Sequence, residues 1–174
     1  APLSPADARL FFTRAFSSTG HEVVPEALDI MVHYSGGFPM LMHEIGDAIF
    51  WQDRDGRIDF SDAVDGLILA AENVGRKYLE PEVYKAIRSE SYLSILRQID
   101  RMPLEMVVER SELIHQLPEG ERARLDNFLR KMRQLGVLLP GERRGEYRFC
   151  NRLHRLYVSL EAERAQAAGS GRQR

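Results

Sequence analysis

The sequence has very little cysteine and no long apolar run. Cys150 is the only cysteine among 174 residues, which excludes a disulfide framework and a cysteine-based zinc site. No apolar stretch reaches the roughly 18 residues that a membrane-spanning helix needs, and the N-terminus lacks the basic and apolar regions of a signal peptide. We therefore expect the protein to reside in a reducing compartment, by default the cytoplasm, and to have no membrane partner.

Sequence motifs for catalysis are also missing. No segment has the GxxxxGK[ST] pattern of a phosphate-binding loop. The five histidines are His21, His33, His43, His115 and His154. None belongs to a metal-binding HExxH motif, and none is expected beside a serine or cysteine nucleophile. We expect no catalytic residue, no metal ligand and no enzymatic activity in this chain alone.

The segment "DRDGRIDFSD", residues 53–62, imitates a calcium loop. With Gly56 at the sixth position of an EF-hand loop, Trp51 occupies the first position and Asp62 the twelfth. One oxygen ligand is then missing, and the bidentate glutamate is shortened to aspartate. We interpret the segment as a polar turn followed by a helix cap.

The net charge of −2 hides a strong asymmetry, in a composition (44% hydrophobic, 29% charged) typical of a globular protein. Residues 118–174 carry 13 basic and 7 acidic side chains, a net charge of +6, whereas residues 1–117 carry 11 and 19, a net charge of −8. The C-terminal third is therefore the part suited to a polyanionic partner.

The fold class predicted from the pattern is mainly α. Helix-start signals at Ser4-Pro5, Pro25, Pro39 and Asp59 predict four short helices that form a bundle over residues 3–79. For residues 82–165 the pattern predicts a long helix over 83–102, a strand in "LEMVVE", a brief helix, a helix over 118–135, two strands joined by the turn "PGERRG", and a final helix ending near Ala165. This order is that of a winged helix-turn-helix with a small β-hairpin wing, and residues 166–174 are expected to be a disordered tail.

The helix over residues 118–135 has a polar face opposite its apolar stripe. Asn, Arg and Gln side chains form bidentate contacts with base edges, and arginines on a wing reach phosphates or the minor groove. The candidate DNA-binding residues are Asn127, Arg130, Lys131 and Gln134 on the helix and Arg143 and Arg144 on the wing. Acidic residues interrupt this patch, so a solvated face used for protein contacts stays an open alternative.

Two segments carry a resemblance to a known family. The start "PLSPADARLFF" and the later "YSGGFPMLM", followed by further helices and a winged helix, resemble the C-terminal half of AAA+/STAND P-loop ATPases, chiefly archaeal-type ATPases and origin-recognition initiators. The resemblance covers residues 3–160. It implies a helical lid over a bound nucleotide, followed by a winged helix, with the ATPase core outside this sequence.

The resemblance assigns a nucleotide-binding role to Gly37, Phe38 and Pro39, which are similar to the GxP motif of STAND lids. The cofactor implied is ATP or ADP in the full-length protein, itself an ATPase, and the lid and winged helix alone are not expected to hold it tightly. Pro39 and Met40 stand where sensor-2 lids carry an arginine, and 149–151 lacks the His and Asp of a Met-His-Asp motif. Charged sensing of the γ-phosphate and locking by ADP are therefore not expected.

The leading hypothesis is a regulatory fragment whose lid helps to bind nucleotide on its own ATPase core and whose winged helix contacts double-stranded DNA or a protein. One alternative is an independent winged-helix transcription regulator with an N-terminal bundle that dimerises or senses a ligand. Another is an interaction scaffold that binds neither nucleotide nor DNA. The sequence leaves the oligomeric state open.

Overall fold

A computed structural model describes residues 1–79 and 81–170 and divides the chain into two units, Ala1–Val74 and Gly75–Arg174. The division falls inside one helix and lies a few residues before the predicted boundary at 79–82. The class is mainly α with small sheets, as predicted. In the described residues, no helix has the length and apolarity needed to cross a membrane.

The N-terminal unit is a helical bundle whose helix starts were predicted. Ser4 accepts a hydrogen bond from the Asp7 N–H (3.2 Å) at the first helix, and Asp59 and Asp62 cap each other's amides (3.0 Å each) at the fourth. The elements in chain order are α1 (Pro5–Ser18), β1 (Glu22–Val23), α2 (Pro25–Ser35), α3 (Pro39–Gln52), β2 (Arg57–Ile58) and α4 (Phe60–Tyr78).

The apolar positions of α1, α2 and α3 meet in the core of this unit, where Phe12, Met31, Met42 and Ile45 are fully buried. Helix α4 lies against α3 at Gly66, where a Cβ atom would be only 2.3 Å from Ile49 Cγ1. The two-residue strands β1 and β2 pair in parallel, Glu22 with Arg57 and Val23 with Ile58. This pairing was not predicted, because two residues are too few to show the alternation of a strand.

The C-terminal unit has the predicted element order with one correction. The single helix expected over residues 83–102 is two helices, because Ser89 takes an extended backbone (φ −63°, ψ 128°) that ends the first and starts the second. The elements are α5 (Pro81–Ile87), α6 (Glu90–Arg101), β3 (Val107–Glu109), α7 (Arg110–Gln116), α8 (Glu119–Gln134), β4 (Leu138–Pro140), β5 (Glu146–Phe149) and α9 (Arg152–Ser170).

The three strands form an antiparallel sheet in the order β3-β5-β4, so that β5 is central and the turn between β4 and β5 projects as a hairpin. Helix α9 packs on α6 and extends five residues beyond its predicted end near Ala165. The prediction of a disordered tail is therefore wrong for residues 166–170. Residues 171–174 of the predicted tail lie outside the described residues.

Candidate functional site

The turn between α2 and α3 has a backbone that only glycine fits. Helix α2 ends at Gly36 in the left-handed conformation (φ 55°), and Gly37 follows with φ 73°. The Gly37 carbonyl accepts a hydrogen bond from the Leu3 N–H (2.7 Å), and a Cβ atom on Gly37 would lie 2.2 Å from the Leu3 carbonyl oxygen. The turn and the segment before α1 are therefore held in close backbone contact.

Helix α3 begins at this turn without a side-chain cap. Phe38 is the N-cap residue and Pro39 the first helical residue, and the first helical hydrogen bond runs from the Met42 N–H to the Phe38 carbonyl (2.9 Å). The amides of Met40 and Leu41 precede that bond and so have no helical acceptor. No acidic residue lies in the first turn of α3, so the partial positive charge of the helix N-terminus is not opposed there.

The side chains around the turn are apolar and accessible. Phe38 is 46% exposed, Met40 44% and Leu3 40%. The predicted residues Gly37, Phe38 and Pro39 thus combine a close-packed backbone, an exposed aromatic ring and the start of a helix. An aromatic ring can stack on a planar base, and a helix N-terminus favours an anionic group.

The predicted DNA-binding residues of α8 lie on its outer side, except for one. Leu125, Phe128, Leu129 and Met132 are buried against the rest of the unit. Asn127, Arg130 and Gln134 are exposed, whereas Lys131 is half-buried. The Arg130 guanidinium donates a hydrogen bond to Asn127 Oδ1. These two side chains therefore bind each other in the free protein and would have to separate to contact bases.

The two arginines in the turn between β4 and β5, Arg143 and Arg144, differ in their partners. The Arg143 Nε lies 3.6 Å from Glu146 Oε1. The backbone N–H of Arg143 also donates a hydrogen bond to Glu146 Oε2 at 3.0 Å. Arg144 is exposed and has no ion pair within the described part of the chain. Arg110 donates two hydrogen bonds to the Asp126 carboxylate (2.7 and 3.0 Å). These hydrogen bonds and the positive charge of Arg110 hold the pKa of Asp126 below its usual value. Of the two arginines in the turn between β4 and β5, Arg144 is thus the one more available to a ligand.

The structure does not gather the six predicted residues in one cleft. Arg143 and Arg144 line a cleft of about 560 Å³ with the start of α7, whereas Arg130 and Gln134 line another of about 420 Å³ beside β4. Arg133 joins Arg130 in the second cleft and was missed by the sequence analysis. The sequence could have indicated Arg133, because a residue three positions after Arg130 lies on a neighbouring part of the same helical surface.

A further polar pair occurs at the start of α9. Asn151 Oδ1 accepts the N–H of His154 (2.8 Å) as a helix cap, and the His154 Nδ1 contacts the Cys150 thiol. The sequence analysis did not foresee this contact between His154 and Cys150. Burial raises the pKa of the Cys150 thiol to about 11 and lowers the pKa of His154 to about 4. Both groups are neutral near pH 7, so this pair lacks the activated thiolate that a nucleophile needs.

The depressed pKa of His154 predicts a loss of stability in mild acid. An unfolded histidine binds its proton near pH 6.5, but the folded one does so only near pH 4. The unfolded state therefore binds more protons over this interval, and the free energy of unfolding should fall as the pH drops from 6.5 to 4. Urea unfolding at several pH values would measure this. The His154→Gln variant should have a flatter pH dependence over that interval, and an unchanged slope would contradict the assignment.

Among residues 1–79 and 81–170, no group of three or more His, Cys, Asp and Glu side chains is arranged to hold a metal ion. The segment 53–62 forms the expected polar turn, in which Asp53 Oδ2 accepts the Gly56 N–H at 2.9 Å.

Comparison with known proteins finds no matching family, no similar curated protein and no similar solved structure.

Proposed function

We propose that this chain is the C-terminal regulatory part of a nucleotide-switched P-loop ATPase of the AAA+/STAND type. The observation that carries the proposal is the hydrogen bond between the Leu3 N–H and the Gly37 carbonyl. It places side by side the two segments, "PLSP" and "GGFP", on which the family resemblance depends, although 30 residues lie between them. Their joint position at the start of α3 supports a nucleotide-facing role for the turn.

The residues at the turn fit one part of a nucleotide better than another. The exposed Phe38 ring suits the base, and the uncapped start of α3 suits an anionic or polar group. Pro39 and Met40 provide no cation for a γ-phosphate. ATP or ADP bound on the core would supply the energy and the signal of the switch, while this chain contributes contacts to one side of the nucleotide.

The C-terminal unit is proposed to be a winged helix. Its element order and its β3-β5-β4 sheet support that assignment, with α8 as the helix that would enter a groove and the β4–β5 turn as the wing. The unit carries 20 basic and 14 acidic side chains, a net charge of +6, against −8 for the N-terminal unit. This charge favours double-stranded DNA over a protein as the partner, in a cytoplasmic setting.

The proposed mechanism is a population shift. Nucleotide can bias the arrangement of the lid only if the lid makes different contacts in the ATP-bound and ADP-bound states. The coding region upstream of Ala1 tests this part of the proposal. A Walker A lysine and a Walker B acidic pair within roughly 200 residues, the span of one such domain, are expected. An initiator methionine a few codons upstream of Pro2 would overturn the ATPase assignment.

DNA binding is tested on the chain itself by fluorescence anisotropy with a labelled duplex. Removing two positive charges from the proposed interface with Arg130→Ala and Lys131→Ala should weaken binding about tenfold and make the slope of log K against log salt concentration less steep by about two. The control is the double variant Arg14→Ala and Arg54→Ala, which removes the same charge from two exposed positions of the N-terminal unit.

The control variant should bind DNA like the unmodified chain. Equal weakening in both double variants would mean that only net charge matters, and binding insensitive to salt would exclude the DNA proposal. Binding of a dimer to palindromic half-sites would instead favour the independent transcription regulator.

A further inference from the structure

An aromatic cleft opens between α1 and α3 in the N-terminal unit. Its volume is about 400 Å³, which is in the range of small-ligand sites. Phe11 and Phe16 line it from α1, and Met42, His43 and Phe50 line it from α3. Phe11 meets His43 edge to face, with ring centroids 5.3 Å apart. The cleft thus offers several ring surfaces within the span of one small molecule.

Asp47 is the one formally charged side chain among the described residues that line this cleft. Asp47 is exposed at its edge, and its Oδ1 accepts a hydrogen bond from the Trp51 indole N–H at 3.2 Å. Trp51 is itself 74% exposed and lies edge to face with Phe50, centroids 5.4 Å apart. The rim of the cleft therefore combines a carboxylate with one further aromatic ring, that of Trp51.

The charge of the surroundings has the same sign as Asp47. The N-terminal unit carries 12 acidic and 4 basic side chains, a net charge of −8. Its potential favours cations over anions. With Asp47 in its lining, this cleft is better suited to a cation than to a phosphate ligand, and it shares no residue with the turn at Gly37.

We propose that this cleft binds a small organic cation with an alkylated ammonium group. Aromatic faces attract such a cation through their quadrupole, and the alkyl groups bury apolar surface against Phe11 and Phe50. Asp47 supplies the opposite charge. An alkylated ammonium group occurs both in a free quaternary amine and in a methylated lysine side chain of a peptide. The experiment must therefore distinguish these two ligands. The proposal goes beyond the function proposed above and does not depend on it.

The fluorescence of Trp51 provides the measurement, because it is the only tryptophan of the chain and is hydrogen-bonded to Asp47. The probes are choline and its uncharged isostere 3,3-dimethylbutan-1-ol. Choline should bind about tenfold more tightly than the isostere, the gain expected from replacing a neutral carbon by a cation over aromatic rings. A short peptide with one trimethyllysine, titrated beside the unmodified peptide, tests the second source.

Two variants and a control separate the contributions. Asp47→Asn keeps an acceptor for the Trp51 indole but removes the charge, and it should weaken choline binding about fivefold or more without affecting the isostere. Phe11→Leu should also weaken choline selectively. Glu26→Gln, at an exposed position on α2 that does not line the cleft, removes the same charge and should leave choline affinity unchanged.

Circular dichroism would establish that each variant is folded before its affinity is compared. Equal affinities for choline and the isostere, or an equal effect of Asp47→Asn and Glu26→Gln, would overturn the proposal. Absence of binding by choline and by the trimethyllysine peptide, detected by calorimetry as well as by fluorescence, would overturn it too. Failure here would leave the test of the ATPase assignment unaffected, since that test concerns the coding region upstream of Ala1.

Discussion

Replacing Arg155 by methionine is expected to lower the free energy of unfolding of the C-terminal unit by about 3 kcal/mol. Arg155 is 2% exposed on α9, and its Nη2 donates to the carbonyl of Ile99 (2.7 Å) and approaches that of Met102 (3.3 Å). These carbonyls lie at the end of α6, where the Met102 N–H, which donates to the Ile99 carbonyl at 3.2 Å, is the C-cap donor. Methionine fills similar space but removes the hydrogen bonds that the buried guanidinium donates to them.

Guanidinium-induced unfolding, followed by circular dichroism, measures this loss. The matched control is Arg152→Met, three residues earlier on the same helix, where the side chain is half-buried and has no hydrogen bond within the described residues. That variant should change the free energy of unfolding by less than about 0.5 kcal/mol. Equal losses in the two variants would contradict the capping role of Arg155.

Replacing Gly66 by alanine is expected to destabilise the N-terminal unit by about 2 kcal/mol. The added Cβ would lie 2.3 Å from Ile49 Cγ1 and 2.7 Å from the Ile49 Cα. The second clash involves backbone, so a change of side-chain rotamer cannot relieve it. The overpacking outweighs the benefit of alanine over glycine in a helix, which is about 1 kcal/mol.

The control for this prediction should change stability in the opposite direction. Gly120 lies in the first turn of α8, and a Cβ there would meet nothing within 4 Å. Gly120→Ala should therefore raise the free energy of unfolding by about 0.5 kcal/mol through the lower entropy of the unfolded chain. Differential scanning calorimetry of both variants measures the sign of each change in stability. Stabilisation by Gly66→Ala would mean that α3 and α4 are not in close contact.

The helix boundaries could be predicted because their signals are local. Ser4 before Pro5, Asp59 before Asp62 and glycine at position 36 act through backbone groups within a few residues, and each acts as expected. The turn at Gly37 was predicted for the same reason. Its contact with Leu3 was not predicted, because nothing in either segment specifies the other.

The features that were not predicted depend on distant partners. The burial of Arg155 requires the end of α6, more than 50 residues away, and its sequence neighbours give no sign of it. The pairing of Arg130 with Asn127 was missed for a different reason. Both residues were assigned to DNA bases, although residues three positions apart on a helix are near enough to bind each other.

The neutral state of Cys150 has a practical consequence for experiments on this protein. Burial raises the pKa of this thiol to about 11, so very little thiolate is present at pH 7. Maleimides and disulfide reagents, which attack thiolates, should therefore spare it in the folded chain. A single cysteine introduced at an exposed position, such as in place of Arg54, could then carry a spectroscopic label without removal of the native thiol.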